Sequence, residues 1–441
     1  MHNLGYRRFN NNMLTPRSRL GYHYYPDDRH FTQADLETWL PVLDSLGAQW
    51  LTLRASPERA IPEPFVRGLV DAGIQPVVHI PLSIARLVES NLATLFTCYA
   101  QWGIQHIVVF DRPNLRASWD PSNWGRPGLV ERFLDVMLPV LLAQRSSGLR
   151  PVLPALEPGG DYWDTAFLGS LLEALARRGQ SNLQSELTLA IYAWAFDRPL
   201  NWGAGGASRW PEARPYHTPE GCQDQRGLRA FDWYSSVAEI NGLAHLPMLV
   251  IAGGALPTAA ASTIGPDSHT EQNLAIARAL QSEDIPPSLL NFAFYPLATD
   301  PAHTDHGAAW FPTLEAPRPV VAAFRRLAEL APKNAASATE KPIKHYLLLP
   351  SGTGASFIQE WEKLAEFTAA HHPATGFSLE EARLAQQVTL AGDEESISPE
   401  VEYALRASGC RVQRLSRAAV IRAASSPVAE GCRAAFAEAG V

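Results

Sequence analysis

The chain has 441 residues, of which 46% are hydrophobic and 19% charged, enough for a large hydrophobic core and a second, smaller unit. Its formal charge is −8 at pH 7 and its basic residues are scattered, which argues against a nucleic-acid partner, because affinity for the phosphate backbone depends on clustered Lys and Arg. The N-terminus lacks the apolar region of a secretion signal, and no segment is apolar over the ~18 residues that a membrane span needs. The sequence therefore predicts no membrane span and leaves the localisation open.

Short apolar segments alternate with amphipathic ones along the first three quarters of the chain. The apolar segments predict strands at 19–25, 49–54, 75–80, 105–111, 150–156, 187–194, 247–252 and 290–296. Helices are predicted at 32–47, 62–73, 84–102, 126–145, 164–178, 228–242, 270–282 and 318–330. In the first helix, Thr32 can cap the first turn and Gly47 can end the last one. Eight such pairs predict a (β/α)8 TIM barrel with insertions. An open doubly wound sheet is disfavoured because no glycine-rich fingerprint follows the first strand.

A change of composition separates the predicted barrel from the C-terminal quarter of the chain. Residues 333–342 are rich in Ala, Ser, Lys and Pro and are interpreted as a linker after a barrel spanning 1–332. Residues 343–441 alternate again between strand and helix patterns, with strands at 345–350, 387–391 and 411–415. They predict a smaller C-terminal α/β sandwich domain.

The predicted strand ends carry polar and aromatic residues, where a barrel of this type would hold its functional site. Aromatic faces that stack on sugar rings, together with polar groups that bind the hydroxyls, are typical of a glycan cleft. The candidate substrate-binding residues are Arg54, His79, Asn114, Trp119, Tyr192, Trp194, Trp202 and Trp310. The same tryptophans could instead fill loops and helix interfaces.

Two stretches resemble one clan of retaining (β/α)8 glycoside hydrolases, particularly its xylosidase-like members with an Asn-Glu-Pro-Asn turn after strand four. "QHIVVFDRPNLRASWDPSNWG" is similar to that turn and its tryptophan-rich continuation, and "LPMLVIAGGAL" is similar to the family's seventh strand. The last predicted strand and helix also follow the family's order. The resemblance implies a TIM barrel that acts on, or binds, an oligosaccharide or polysaccharide.

The sequence departs from this family at both catalytic positions. Arg112 stands at the position of the family's acid, and Ala252 at the position of its nucleophile. Retaining hydrolysis needs two carboxyl groups about 5–5.5 Å apart. A guanidinium does not donate a proton at neutral pH, and a methyl group forms no glycosyl ester. The family mechanism is therefore predicted to be absent unless other acids, such as Asp111 and Glu157, replace the pair. Arg112 could form an ion pair with these acids or bind a sugar carboxylate.

The segment 388–416 resembles one unit of the cell-wall-binding repeat of Gram-positive surface proteins. The matching positions are Gly392, Ile397, Ser398, Leu405, Gly409, Val412 and Arg414. Asp393 departs from the pattern, as does Ser416, and only one unit is evident, so a generic α/β domain remains the alternative. The resemblance implies a cell-wall polymer as a partner and suggests an extracellular or cell-surface location.

The leading hypothesis is a glycosidase-like protein that binds a polysaccharide or cell-wall glycan and has lost the retaining carboxylate pair. The alternatives are an active hydrolase that uses displaced acids, or a structural module of a larger surface or phage-like assembly. No cofactor is expected. No metal site is expected either, because the four cysteines lack CxxC spacing and the short "HTDH" segment, 303–306, offers too few defined ligands.

Overall fold

The structure is a computed structural model that describes residues 18–82, 84, 92–196, 198–256, 266–282, 284–330, 341–350, 368, 371–392, 394 and 396–415. The chain forms two compact units, Met1–Arg325 and Arg326–Val441. The predicted linker at 333–342 falls almost wholly outside the described residues. No helix in the described part of the chain is both long enough and apolar enough to cross a membrane.

The first unit is the predicted (β/α)8 barrel. Its strands are β1 Leu20–His23, β2 Trp50–Arg54, β3 Gln75–Ile80, β4 His106–Val109, β5 Val152–Leu153, β6 Thr188–Trp194, β7 Met248–Gly254 and β8 Leu289–Phe294. All paired neighbours are parallel, in the order β4-β3-β2-β1-β8-β7-β6-β5. The strands are buried almost throughout, which explains why they appear in the sequence as continuous apolar segments.

Helices follow the strands as predicted, with short additional helices in the loops. They are α1 Gln33–Ser45, α2 Glu63–Asp71, α3 Leu92–Gln101, α4 Pro121–Trp124, α5 Leu129–Ser146, α6 Asp164–Arg177, α7 Ser181–Gln184, α8 Gly206–Arg209, α9 Ala230–Ile240, α10 Pro266–Ala279 and α11 Pro319–Leu330. The predicted cap of α1 is confirmed: the Thr32 side chain accepts from the Asp35 amide, and the Asp35 carboxylate accepts from the Thr32 amide at 2.8 Å. Gly47 follows α1 with φ of 65°.

The barrel closes between β4 and β5 through one bridge and one helix side chain. His106 pairs with Arg150, and the Arg150 amide donates to the Gln105 carbonyl at 2.9 Å. Above this bridge, the fully buried Gln144 of α5 donates to the Ile107 carbonyl of β4 at 2.7 Å and accepts from the Val152 amide of β5 at 3.0 Å. The Gln144 amide thus stands where strand-to-strand bonds would otherwise form.

The second unit contains a four-stranded parallel sheet, in keeping with the predicted α/β domain. Its strands are β9 Ile343–Leu348, β10 Ala374–Gly376, β11 Ala385–Ala391 and β12 Arg411–Leu415, in the order β10-β9-β11-β12, and its described helices include α12 Leu379–Ala382 and α13 Pro399–Ala407. The core of this unit includes Tyr346, Val388, Leu390 and Leu405. Strand β10 was not predicted from the sequence.

Candidate functional site

Every barrel strand ends at the same rim, because all eight are parallel, and each brings at least one side chain there. In strand order from β1 to β8 these side chains are His23, Arg54, His79, Arg112, Glu157, Tyr192 with Trp194, Ala252 and Tyr295. We call this set the barrel mouth. It contains five of the residues predicted from the sequence as substrate-binding or as replacement acids (Arg54, His79, Glu157, Tyr192 and Trp194), together with Arg112 and Ala252.

The turn after β4 is strained and tightly held. Phe110 and Arg112 both have left-handed φ angles, of 72° and 46°, which non-glycine residues rarely adopt. The Phe110 amide donates to the Ile80 carbonyl at 3.0 Å, and the Arg112 amide donates to the Ala155 carbonyl at 3.0 Å. The His79 ring nitrogen Nε2 lies 3.1 Å from the Phe110 carbonyl oxygen. Bonds from both neighbouring strands therefore stabilise a conformation that directs Asp111 and Arg112 towards the barrel mouth.

Arg112 is surrounded by two acids and a phenol. Its Nε lies 3.0 Å from Glu157 Oε2 and 3.8 Å from Asp111 Oδ1, and its guanidinium carbon lies 4.5 Å from the centre of the Tyr192 ring. The Tyr192 hydroxyl donates to Asp111 Oδ1 at 2.7 Å. Nε is close to Glu157 but is not aligned for a hydrogen bond, so the contact is an ion pair. The ion-pair alternative for Arg112 is the one present in the structure, and it involves both acids.

Burial affects the ionisation of this cluster. It raises the pKa of Glu157; the nearby Arg112 charge acts in the opposite direction, and Asp111 raises the pKa further. Burial opposes the charge on Arg112, but Tyr192, Asp111 and Glu157 outweigh it and raise the pKa of the guanidinium. Arg112 therefore stays protonated, while Glu157 holds its proton to a higher pH than an ordinary glutamate.

Strand β7 brings no carboxylate to the mouth in its described residues. Ala252 is 4% exposed and lies in an inner cluster with Tyr192 and Trp194. The Tyr192 and Trp194 rings stack, with centroids 6.2 Å apart and planes at 12°, and the edge contact from Trp194 to Tyr295 spans 5.8 Å. Ala252 is thus part of an apolar surface beside two aromatic rings.

Histidine and arginine side chains occupy the mouth at β1, β2 and β3. Burial lowers the pKa of His23 to about 3, with further lowering by the charges of His79 and Arg54. Burial also lowers the pKa of His79, against the opposing effect of Asp111. Both imidazoles are therefore neutral at pH 7. Arg54 is the register partner of His79 and is exposed.

Two predicted binding residues lie in the interior instead of the cleft. Asn114 is fully buried: its amide donates to the Glu157 and Tyr162 carbonyls at 2.9 Å each and accepts from the Glu157 amide at 2.8 Å. These hydrogen bonds of Asn114 join the loop after β5 to the loop after β4. Trp310 is 1% exposed and packs against Tyr22 and Phe324. Their polar or aromatic groups are used in packing, so these two residues do not belong to the barrel mouth.

Trp119 and Trp202 are held by loops and make no described contact with the Arg112 cluster. The Trp119 ring nitrogen donates to the Pro113 carbonyl at 2.7 Å. The Trp202 ring nitrogen donates to Asp224 Oδ1 at 3.2 Å, and the Arg198 guanidinium lies 4.5 Å above its ring. Both remain candidates only for the outer parts of a long ligand.

The "HTDH" segment does not converge on one point. His303 Nδ1 accepts from the Asp305 amide, His306 Nδ1 lies 3.0 Å from the Thr299 hydroxyl, and the Asp305 carboxylate accepts from Tyr295 at 2.6 Å. A separate group of metal-ligating side chain types is formed by Asp27, His30 and Asp300. There His30 Nδ1 lies 2.9 Å from Asp27 and His30 Nε2 lies 3.2 Å from Asp300. Both ring nitrogens of His30 are therefore already in contact with an acid.

Sequence reasoning missed His23 and Tyr295 as residues of this region, and it placed Phe196 only within the strand-end group 192–197. His23 is the last residue of β1, Tyr295 directly follows β8, and their rings are 4.9 Å apart. Phe196, two residues beyond Trp194, is 37% exposed and has a φ of 47°. The available signal was the position of each residue at or just beyond the end of a strand.

No protein-family model and no curated protein matches the chain. Its structure is similar to a family 39 glycoside hydrolase from Bacteroides cellulosilyticus, with 13% identity, a TM-score of 0.49, and coverage of 72% of this chain and 65% of that one, under two thirds of its length. It is similar to a family 128 endo-β-1,3-glucanase from Sorangium cellulosum, with 14% identity, a TM-score of 0.44, and coverage of 70% and 97%. It is also similar to a monomeric β-xylosidase from Caulobacter crescentus, with 12% identity, a TM-score of 0.46, and coverage of 71% and 68%. The assignment of the barrel depends on the strand pairing and not on these likenesses.

Proposed function

We propose that the barrel mouth binds a polysaccharide or cell-wall glycan without cleaving it by the retaining mechanism. The observation that carries this proposal is the Arg112 cluster beside Ala252. Both acids next to the former acid position are occupied by the guanidinium, and the former nucleophile position is a methyl group. Retaining hydrolysis needs one acid free to protonate the leaving oxygen and another to attack the anomeric carbon.

The aromatic side of the mouth supports the binding part of the proposal. Trp194 is stacked on Tyr192 and touched by Tyr295, so its ring is held in one orientation. A fixed aromatic ring can stack on the C–H face of a sugar without losing much conformational entropy. Phe196, two residues beyond Trp194, is 37% exposed, and neutral His79 offers a ring nitrogen to sugar hydroxyls.

Isothermal titration of the full chain against plant, fungal and cell-wall oligosaccharides tests this proposal. We expect binding to at least one oligosaccharide, with affinity reduced about fivefold or more by Trp194→Ala, because removal of an aromatic anchor costs more than about 1 kcal/mol. Trp102→Ala, just after α3, is the matched control and should leave affinity unchanged. The proposal fails if no oligosaccharide binds at millimolar concentration, or if the two variants behave alike.

A second candidate function is hydrolysis by displaced acids, favoured by the raised pKa of Glu157, a property suited to a general acid. Asp111, on the other side of Arg112, would then activate the water. The oligosaccharide that binds in the titration can be incubated with the protein and assayed for new reducing ends. Cleavage that Glu157→Gln and Asp111→Asn each abolish would establish this candidate and overturn the noncatalytic one.

For the second unit we propose attachment to a cell-wall polymer. The positions that match the repeat lie in and around β11, α13 and β12: Leu405 is buried in α13, and the Arg414 guanidinium of β12 contacts Glu402 at 2.9 Å. These contacts support a complete strand–helix–strand unit, which is what a single repeat would require.

A further inference from the structure

Arg54 differs from Arg112 in lacking an acidic partner. It is the last residue of β2, its side chain is exposed at the barrel mouth, and no hydrogen bond or ion pair joins it to another residue in the described ranges. Arg112, by contrast, is neutralised by Glu157 and Asp111. Two cations therefore reach the same rim, and only one is compensated within the described residues.

The side chains that surround Arg54 are uncharged. His79 is its partner across β2 and β3, His23 ends the strand on the other side, and Tyr295 comes from β8. The pKa values of both histidines are lowered by burial, and the charge of Arg54 lowers them further. Burial raises the pKa of Tyr295, as does its bond to Asp305. These three neighbours of Arg54 are therefore polar and uncharged at pH 7.

The acids of the described mouth are already engaged elsewhere. Asp111 accepts from Tyr192, Glu157 lies against Arg112, and Asp305 accepts from Tyr295 at 2.6 Å. Strand β7 brings Ala252, which has no charge to offer. Among the described residues of the mouth, no carboxylate is therefore left free for Arg54, and a carboxylate of the ligand could compensate its charge.

We propose that Arg54 binds a carboxylate of the ligand and that the glycan taken by the barrel mouth contains uronic acid residues. This inference rests on the proposed function and narrows it to a substrate class. The guanidinium presents two parallel N–H groups that match the two oxygens of a carboxylate. The neighbouring neutral imidazole of His79 suits the hydroxyl groups of the same sugar.

Paired probes test the proposal: oligogalacturonides and oligoglucuronides, each compared with the same oligomers after reduction of the C6 carboxyl group to an alcohol. Only the carboxylate differs within a pair. We expect at least one acidic oligomer to bind about tenfold or more tightly than its reduced form, the size of one charged hydrogen-bonded contact, with a preference that weakens as NaCl is raised. Arg54→Met should erase the difference within that pair.

Arg67→Met is the matched control, because Arg67 is a half-exposed arginine of α2 that pairs with Glu63 away from the mouth, and it should keep the preference. Equal binding of acidic and reduced oligomers by the wild-type chain would overturn the carboxylate inference and leave glycan binding in place. A preference that survives Arg54→Met would overturn the role of Arg54. Failure of every probe, including the neutral panel, would overturn the proposed function as well.

Discussion

Asp224 organises the long loop between β6 and β7 through several donors. Its carboxylate accepts from Arg198 at 2.8 Å, from Thr218 at 2.9 Å, and from Arg226 Nε at 2.9 Å, and its side chain is 2% exposed. Burial opposes its charge, but the hydrogen bonds from Arg226, Trp202 and Thr218 outweigh burial and hold the pKa of this carboxyl well below its usual range. Asp224 thereby holds together a long loop that is not formed by one continuous helix or strand.

Asp224→Asn should destabilise the protein in a pH-dependent way. A depressed folded pKa means that Asp224 contributes stability above about pH 4, the pKa of an unfolded Asp, and loses it as the pH falls through the folded value. We expect the variant to lose about 1–3 kcal/mol of unfolding free energy at pH 7 and less below pH ~4. Urea titrations at several pH values measure this.

Asp135→Asn provides the comparison, because Asp135 is 63% exposed and pairs with Arg178 at the surface. Such a pair contributes about 0–1 kcal/mol, so this variant should change stability little. Equal losses in the two variants, or a loss in Asp224→Asn that does not vary with pH, would contradict the account of Asp224.

At the scale of secondary-structure elements, the seam between β4 and β5 is the weakest part of the barrel ladder. Strand β5 covers only Val152–Leu153, although the sequence predicted 150–156. Pro151 and Pro154 flank it and lack the N–H that a ladder bond requires. Strand β4 ends at Val109 because the left-handed Phe110 turns the chain out of the ladder. The side chain of Gln144 spans the gap that results.

The substitution Gln144→Leu should therefore lower the unfolding free energy of the barrel by more than the change in side-chain volume alone would predict. The substitution leaves the Ile107 carbonyl and the Val152 amide without this partner in the interior, and each such group costs about 1–3 kcal/mol. We expect a loss of about 2–4 kcal/mol in unfolding free energy, measured by urea denaturation. Gln101→Leu, at the exposed end of α3, should stay within about 0.5 kcal/mol of the parent chain. Equal stability of the two variants would show that Gln144 is not needed at the seam.

At the scale of the whole molecule, the chain divides into two compact units with separate proposed ligands. A chain that ends at residue 332 should keep the oligosaccharide affinity of the barrel mouth, because every residue proposed to bind there belongs to the first unit. The same truncation should remove sedimentation with Gram-positive cell-wall sacculi. Sedimentation of the truncated chain equal to that of the full chain would contradict the proposed role of the second unit, and circular dichroism reports whether the truncated chain is folded.

The alternation of strands and helices was predictable because buried parallel strands require continuous apolar segments and the covering helices require one apolar face. The sequence by itself also determined that residue 112 is an arginine and residue 252 an alanine, neither of which can act as a carboxylic acid. That these two positions correspond to the carboxyl pair of the family it resembles stays a prediction.

Only the tertiary structure decided which side chains share the barrel mouth. Trp194 packs with Tyr192 and Ala252 inside the barrel while Trp310 packs against Tyr22 and Phe324, and Asp111 and Glu157 meet on one guanidinium. These outcomes depend on strand register, including the shift between Ile191 and Tyr192, and on the left-handed turn after β4. The physical reason is that such placements arise from backbone pairing between segments far apart in the chain, whereas a local sequence pattern encodes only which face of each segment is apolar.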